Sequence, residues 1–225
     1  ENGSGKSTLT KLICQLFNPT EGAIYYDSRS IGSYGIKAWK DKLSIVFQEF
    51  NKYEFTAREN ITLGGIEYTD QEVYRASRYS GADDFIKELP EQYETQLGVW
   101  FKGGVELSGG QWQKLAISRA FLRDAEIYVF DEPTASIDVF SQEKIFHNFK
   151  KICQSKIGIF ISHRLSNVIH ADKIIVMVDG QVDDIGTHSK LIKKRGLHYQ
   201  LYQSQINSYF KANQESTLNF VESIQ

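Results

Sequence analysis

The chain has 225 residues, 41% hydrophobic and 24% charged, with 26 basic against 28 acidic residues for a net charge of −2. Such a composition supports one large or two small folded domains and excludes disordered and fibrous classes. The near balance of charge excludes a bulk basic field, so no nucleic-acid partner is expected. Cys14 and Cys153 are the only cysteines and form no Cys-x-x-Cys pair, which leaves neither a disulfide framework nor a zinc site; both read as small buried apolar residues. No apolar run approaches the ~20 residues that span a bilayer, and no charged-then-apolar leader is visible, so the chain reads as soluble. It opens on Glu1-Asn2-Gly3, inside a glycine-rich loop rather than at a Met, and a preceding segment is expected upstream.

Directly after that loop, Leu9, Leu12, Ile13, Leu16 and Phe17 recur at i, i+3, i+4, i+7 and i+8. The spacing predicts a helix from Lys6 that is stopped by Asn18-Pro19. Strands are predicted over residues 23–26 and 43–47. Residues 56–100 are polar with helical spacings, and a further helix is predicted over 110–123, together a helical subdomain over about 50–122. The nearly continuous apolar runs 127–130 and 157–161 read as buried strands, with Ile145, Phe146, Phe149 and Ile152 marking a helix between them. A strand over 173–178, an Asp179-Gly180 hairpin and a strand over 181–185 follow. Residues 204–225 are polar and read as a tail that frays, leaving 1–203 as the folded domain. Buried strands alternating with helices give an α/β fold with a mostly parallel sheet flanked by helices.

Three segments carry chemistry. Gly3-Ser4-Gly5-Lys6-Ser7-Thr8 has the ending of the phosphate loop G-x-x-x-x-G-K-[ST], whose backbone N–H groups and following helix dipole face an anion. Lys6 would reach the β- and γ-phosphates, and the Ser7 hydroxyl would ligate Mg²⁺. Ile127-Tyr128-Val129-Phe130-Asp131-Glu132 places two carboxylates at the carboxyl end of a buried strand, where parallel sheets bind ligands. Asp131 would hold Mg²⁺ through water there, and Glu132 could act as general base. Leu107-Ser108-Gly109-Gly110-Gln111 opens the 110–123 helix and makes a second anion-binding helix terminus, with the Ser108 hydroxyl as an extra donor. Two such termini on one triphosphate suit a head-to-tail dimer better than one chain.

In this order and at these spacings the sequence resembles the ATP-binding-cassette (ABC) family of ATPases, whose fold is a P-loop NTPase core with a helical subdomain carrying the LSGGQ signature. Ser108 lies 102 residues after Lys6, and Asp131 a further 23 on. The resemblance implies that Gln48 is a Q-loop glutamine touching Mg²⁺, that Asp138 belongs to a D-loop crossing the dimer interface, and that His163 contacts the γ-phosphate. It also implies ATP and Mg²⁺ as ligands and Ser108, Gly109, Gly110 and Gln111 as contacts to a nucleotide bound by the second copy. At subfamily level Asp172 to His188 is similar to exporter cassettes, and residues 100–113 to the signature region of bacterial bacteriocin and lantibiotic exporters.

The implied protein is the ATPase domain of an exporter moving a peptide across a bacterial membrane, on its cytoplasmic face, with a transmembrane domain as partner. A multidrug or lipid exporter, an inactive truncated remnant, and a soluble ABC ATPase of translation or DNA repair are the alternatives. Tyr128 and Phe130 are bulkier than the family's usual aliphatics, and Ile137 departs from its alanine-leucine context. The strand before the loop, the loop's first glycine, an adenine-stacking aromatic and the membrane domain would all lie upstream of Glu1. The chain by itself is therefore expected to bind ATP weakly and not to hydrolyse it.

Overall fold

A computed structural model describes residues 3–63, 67–134, 136–162 and 164–208. In chain order they form α1 (Lys6–Ile13), β1 (Tyr25–Tyr26), β2 (Arg29–Ser30), α2 (Ile36–Asp41), β3 (Leu43–Val46), α3 (Ala57–Thr62), α4 (Asp70–Ser80), α5 (Asp83–Ile86) and α6 (Gly109–Leu122). Then come β4 (Ile127–Asp131), α7 (Val139–Ile152), β5 (Ile157–Ile161), α8 (Leu165–Val168), β6 (Ile174–Val178), β7 (Gln181–Gly186) and α9 (His188–Lys194). The chain divides into two compact units, Ser7–Ile161 and one formed by Glu1–Lys6 with Ser162–Gln225. No helix among the described residues is long and apolar enough to cross a membrane.

The first unit is built around β4. It pairs in parallel with β3 (Val46 opposite Phe130) and with β5 (Asp131 opposite Ile161), and all five of its residues are buried. Successive side chains of a strand point to opposite faces. Tyr128 and Phe130 accordingly enter a core with residues of α3, α4, α6 and α7, while Ile127 and Val129 enter another with Cys14, Ile31, Trp39 and Leu43. The bulk at these positions has a physical reason. The Tyr128 hydroxyl donates to the Arg123 carbonyl at 2.7 Å, and the Phe130 ring lies 4.8 Å from that of Phe149 and 5.5 Å from that of Phe121. Burial pushes the thiol of Cys14 up to about 12 and that of Cys153 up to about 11, so both are inert apolar fillers.

The helical insert is real but segmented into α3, α4, α5 and α6. Thr56 with Glu59, and Thr69 with Glu72, close capping boxes that start α3 and α4. Arg119 of α6 ties the insert together by donating to the carbonyl and side-chain oxygens of Asn60 and to the Asn51 carbonyl. Its burial lowers the guanidinium to about 10.

The first helix departs from expectation. It ends at Ile13 rather than at Asn18, and Leu16 and Phe17 are 49% and 51% exposed. Gln15 adopts a left-handed φ of 53°, its N–H reaches Leu12 O and the Leu16 N–H reaches Lys11 O. That pair of bonds is a Schellman stop made without glycine. The Gln15 side chain fixes it by donating to the Ile31 carbonyl at 2.6 Å. The buried edge of α1 is consequently Thr10 and, just past its end, Cys14, not the stripe through Leu16.

In the second unit β6 and β7 pair antiparallel across Asp179-Gly180, both at positive φ as a two-residue hairpin turn requires. Ile174, Val176 and Leu191 form its core, with Leu197 packed against them. A helix runs over residues 197–208, past the expected start of the tail at 204; residues 209–225 lie outside the described ones. His198, 4% exposed, meets His188 with its Nε2 3.0 Å from the partner's Nδ1, and the Tyr202 ring packs on His188 at 4.9 Å.

Two outcomes follow. Phe130→Ala should lose about 3–5 kcal/mol in urea unfolding, because the aromatic cluster cannot close over the cavity. Burial, and then the charge of His188, hold the His198 imidazole below its ordinary value. The unfolded chain therefore binds the extra proton more readily, and stability is lost as pH falls below ~6.5. Thermal unfolding between pH 7.5 and 5 should show that loss, and His198→Phe should reduce it.

Candidate functional site

The backbone curls at Gly3 to Gly5, the residues of the expected phosphate loop. Gly3 and Gly5 have φ of 86° and 91°, and Ser4 is buried. A Cβ on Gly5 would lie 3.1 Å from Gly180 Cα, and the Gly180 N–H donates to the Ser4 carbonyl at 3.2 Å, so the loop rests on the β6–β7 turn. The Lys6 ammonium donates to Ser4 Oγ at 2.8 Å. α1 begins at Lys6, which puts Ser7 and Thr8, both exposed, in its first turn.

Because β3, β4 and β5 are parallel, their carboxyl ends share one edge. β3 leads to Gln48, exposed on the loop that follows, and β4 ends at buried Asp131. β5 ends at Ile161, opposite Asp131; His163, two residues on, lies outside the described residues. Asp131 shares a strand face with Ile127 and Val129, the face covered by Cys14 just past the end of α1, and its charge adds to the upward push on that thiol. Glu132 continues the ladder by donating its N–H to Ile161 O at 3.0 Å, but with a left-handed φ of 48°. A non-glycine residue held in that region marks local strain, of the sort that gathers at functional sites. It turns Glu132 out of the strand's alternation while Asp131 stays within it.

The signature segment starts α6. Ser108 is its N-cap: Ser108 Oγ accepts the Gln111 N–H at 3.3 Å, and Gln111 Oε1 accepts the Ser108 N–H at 2.9 Å. This capping box engages Gln111 locally. It uses Ser108 Oγ as an acceptor, which leaves the hydroxyl proton available to donate outward. Gly109 has open space where a Cβ would stand. Gly110 does not, since a Cβ there would lie 2.7 Å from the Ser136 carbonyl oxygen.

Asp138 is the N-cap of α7 and accepts the Ser141 N–H at 2.9 Å, a bond that holds its carboxyl below the usual carboxylate range. The structure thus brings the signature segment and the 136–138 loop together in one unit, with Gln48, Asp131 and Glu132 along the sheet edge of the same unit. Gly3 to Lys6 belong to the other unit.

Two residues of this region have roles that no sequence motif assigns. Gln113 accepts the Ser136 N–H at 3.0 Å, and Gln142 donates to the Thr134 carbonyl at 2.9 Å and to that of Ile137. Their only sequence signal is a glutamine inside an otherwise apolar helix face.

Comparison with known proteins gives the family. A family model described as ABC transporter matches residues 1–135. The nisin transport ATP-binding protein NisT of Lactococcus lactis subsp. lactis is 43% identical over 209 residues, covering 91% of this chain and 34% of that protein. The subtilin transport ATP-binding protein SpaT of Bacillus subtilis is 39% identical over 206 residues, with coverage of 91% and 34%. The structure of a bacterial Atm1-family ABC exporter with ATP bound matches with a TM-score of 0.85 at 30% identity, covering 92% of this chain and 36% of that one. The chain spans about a third of the length of these relatives. The family match runs from the phosphate loop through the Asp131–Glu132 strand end, and the chain belongs to the ABC transporter family.

Proposed function

We propose that this chain is the ATP-hydrolysing domain of an ABC exporter, working as two copies set head to tail beneath a transmembrane domain. The observation that carries the reading is the presence in one chain of two glycine-opened helix starts, at Lys6 and at Ser108–Gly110, and of a carboxylate pair at a parallel-sheet edge. In this reading Gly3, Ser4, Gly5, Lys6, Ser7 and Thr8 hold the phosphates of one ATP. Ser108, Gly109 and Gly110 of the second copy close over the same nucleotide, and Asp138 lies at the contact between copies.

The donor set fits Mg²⁺. The Ser7 hydroxyl, the Gln48 side-chain carbonyl and the Asp131 carboxylate are hard oxygens, and among the described residues no group of three or more His, Cys, Asp or Glu makes a denser metal cage. When bound, Mg²⁺ neutralises charge on the β- and γ-phosphates. Lys6 binds and orients those phosphates. Glu132, turned out of the strand by its left-handed backbone, takes the proton of the attacking water as general base. His163 is assigned the γ-phosphate contact.

The folded domain is assigned to residues 1–203, with 204–225 as its tail. The similarity to proteins named for nisin and subtilin transport favours peptide cargo, selected by a transmembrane domain in the bacterial cytoplasmic membrane, with this domain on the cytoplasmic face.

Glu132→Gln should leave ATP binding intact and lower turnover on the order of 10²-fold or more in the assembled exporter, with accumulation of the closed dimer. Near-normal hydrolysis by that variant assigns the base elsewhere. Ser108→Arg should abolish hydrolysis while nucleotide binding by the separated monomer stays within about twofold, since this residue acts on the other copy's ATP. Equal loss of monomer binding contradicts the two-copy site.

A further inference from the structure

The signature motif explains Ser108 to Gln111 but not Gln113, the fifth residue of α6. It is 2% exposed, among the buried side chains of Trp112, Leu115, Ala116 and Ile117. A carboxamide at that depth is costly unless it is hydrogen-bonded. Its Oε1 takes the backbone N–H of Ser136 at 3.0 Å. The other half of the same residue's backbone is engaged as well: the Ser136 carbonyl stands where a Cβ on Gly110 would come within 2.7 Å, so only glycine lets the loop close on the helix.

Two different sets of bonds act on this loop. Its shape is held from α7, where Gln142 donates to the Thr134 and Ile137 carbonyls, and by the turn bond from the Ile137 N–H to Thr134 O at 3.2 Å. Its attachment to α6 rests on Gln113 and Gly110. Removing the Gln113 acceptor therefore takes away the hydrogen bond between the loop and the signature helix while the bonds that shape the loop remain.

We propose that Gln113 is a positioning residue for ATP turnover: by holding the Ser136 peptide against α6, it makes the signature terminus and Asp138 a single rigid face toward the second copy. The proposal rests on the two-copy reading above. Gln113 touches no nucleotide in it. It acts by keeping Ser108–Gly110 and Asp138, each at a helix start, in fixed register as the copies close. Without that register each closure assembles only part of the site, which lowers turnover more than ground-state nucleotide binding.

Gln113→Met keeps the volume and removes the acceptor; Gln113→Glu keeps an acceptor oxygen for the Ser136 N–H. In the assembled exporter in proteoliposomes, Gln113→Met should lower kcat about tenfold or more while KM for ATP moves less than about twofold, and Gln113→Glu should recover most of that loss. Hydrogen exchange at residues 136–138 should quicken about tenfold or more in Gln113→Met and stay near wild type in Gln113→Glu. A melting temperature unchanged in both variants excludes a folding effect, and a melt lowered equally in both, with equal loss of kcat, overturns the proposal. Unchanged exchange in Gln113→Met, or a kcat within twofold of wild type, also overturns it while leaving the ATPase reading intact. A wild-type exporter that hydrolyses no ATP defeats the ATPase reading itself, and with it any role for Gln113 in turnover.

Discussion

The constraint on which this structure depends is the complete burial of β4. A strand with both neighbours in parallel and every residue buried must be covered on both faces, and its alternating side chains assign the covers: Tyr128 and Phe130 to the helical side, Ile127 and Val129 to the side of Trp39 and Cys14. The carboxylates Asp131 and Glu132 stand at its end. Parallel pairing brings the exits of β3 and β5 to the same edge, so the loop that carries Gln48 leaves the sheet at the edge where β4 ends in Asp131, although the two are far apart in the chain. The positive φ of Glu132 is tolerated because its N–H still finds Ile161 O and the strand before it cannot shift.

The same logic separates what was legible in the sequence from what was not. β4, β5, α6 and α7 are continuous apolar or strongly periodic runs, and each lies within a residue or so of its expected place, except that α7 also extends back to Val139. The curled backbone at Gly3 to Gly5 and the strand end at Asp131 were legible because their residue types are tied to local backbone geometry. The end of α1 was not. Periodicity continued to Phe17, but Gln15 stops the helix in a left-handed conformation that its own side chain secures through Ile31, a partner 16 residues away. Tertiary bonds of that kind leave no local pattern.

The signature region shows both cases in six residues. Ser108 and Gln111 stand at the spacing of a capping box, a purely local device, and the structure adds that role to the expected one. Gln113 is marked in the sequence only as a polar residue on an apolar helix face, and its role shows once its partner at Ser136 is known. Likewise the His188–His198 pair joins the end of the exporter-like segment to a residue that no sequence motif marks.

The central claim is that each nucleotide site is shared between two copies, and a mixed dimer tests it most directly. One copy carries Lys6→Ala and the other Ser108→Arg, and occluded ATP is counted per purified dimer in the assembled exporter. If loop and signature of different copies face each other, both lesions fall in one site and the second site remains whole, so one ATP is retained per dimer while either homodimer retains none. If each copy completes its own site, both sites are damaged, and a mixed dimer retaining no ATP contradicts the account.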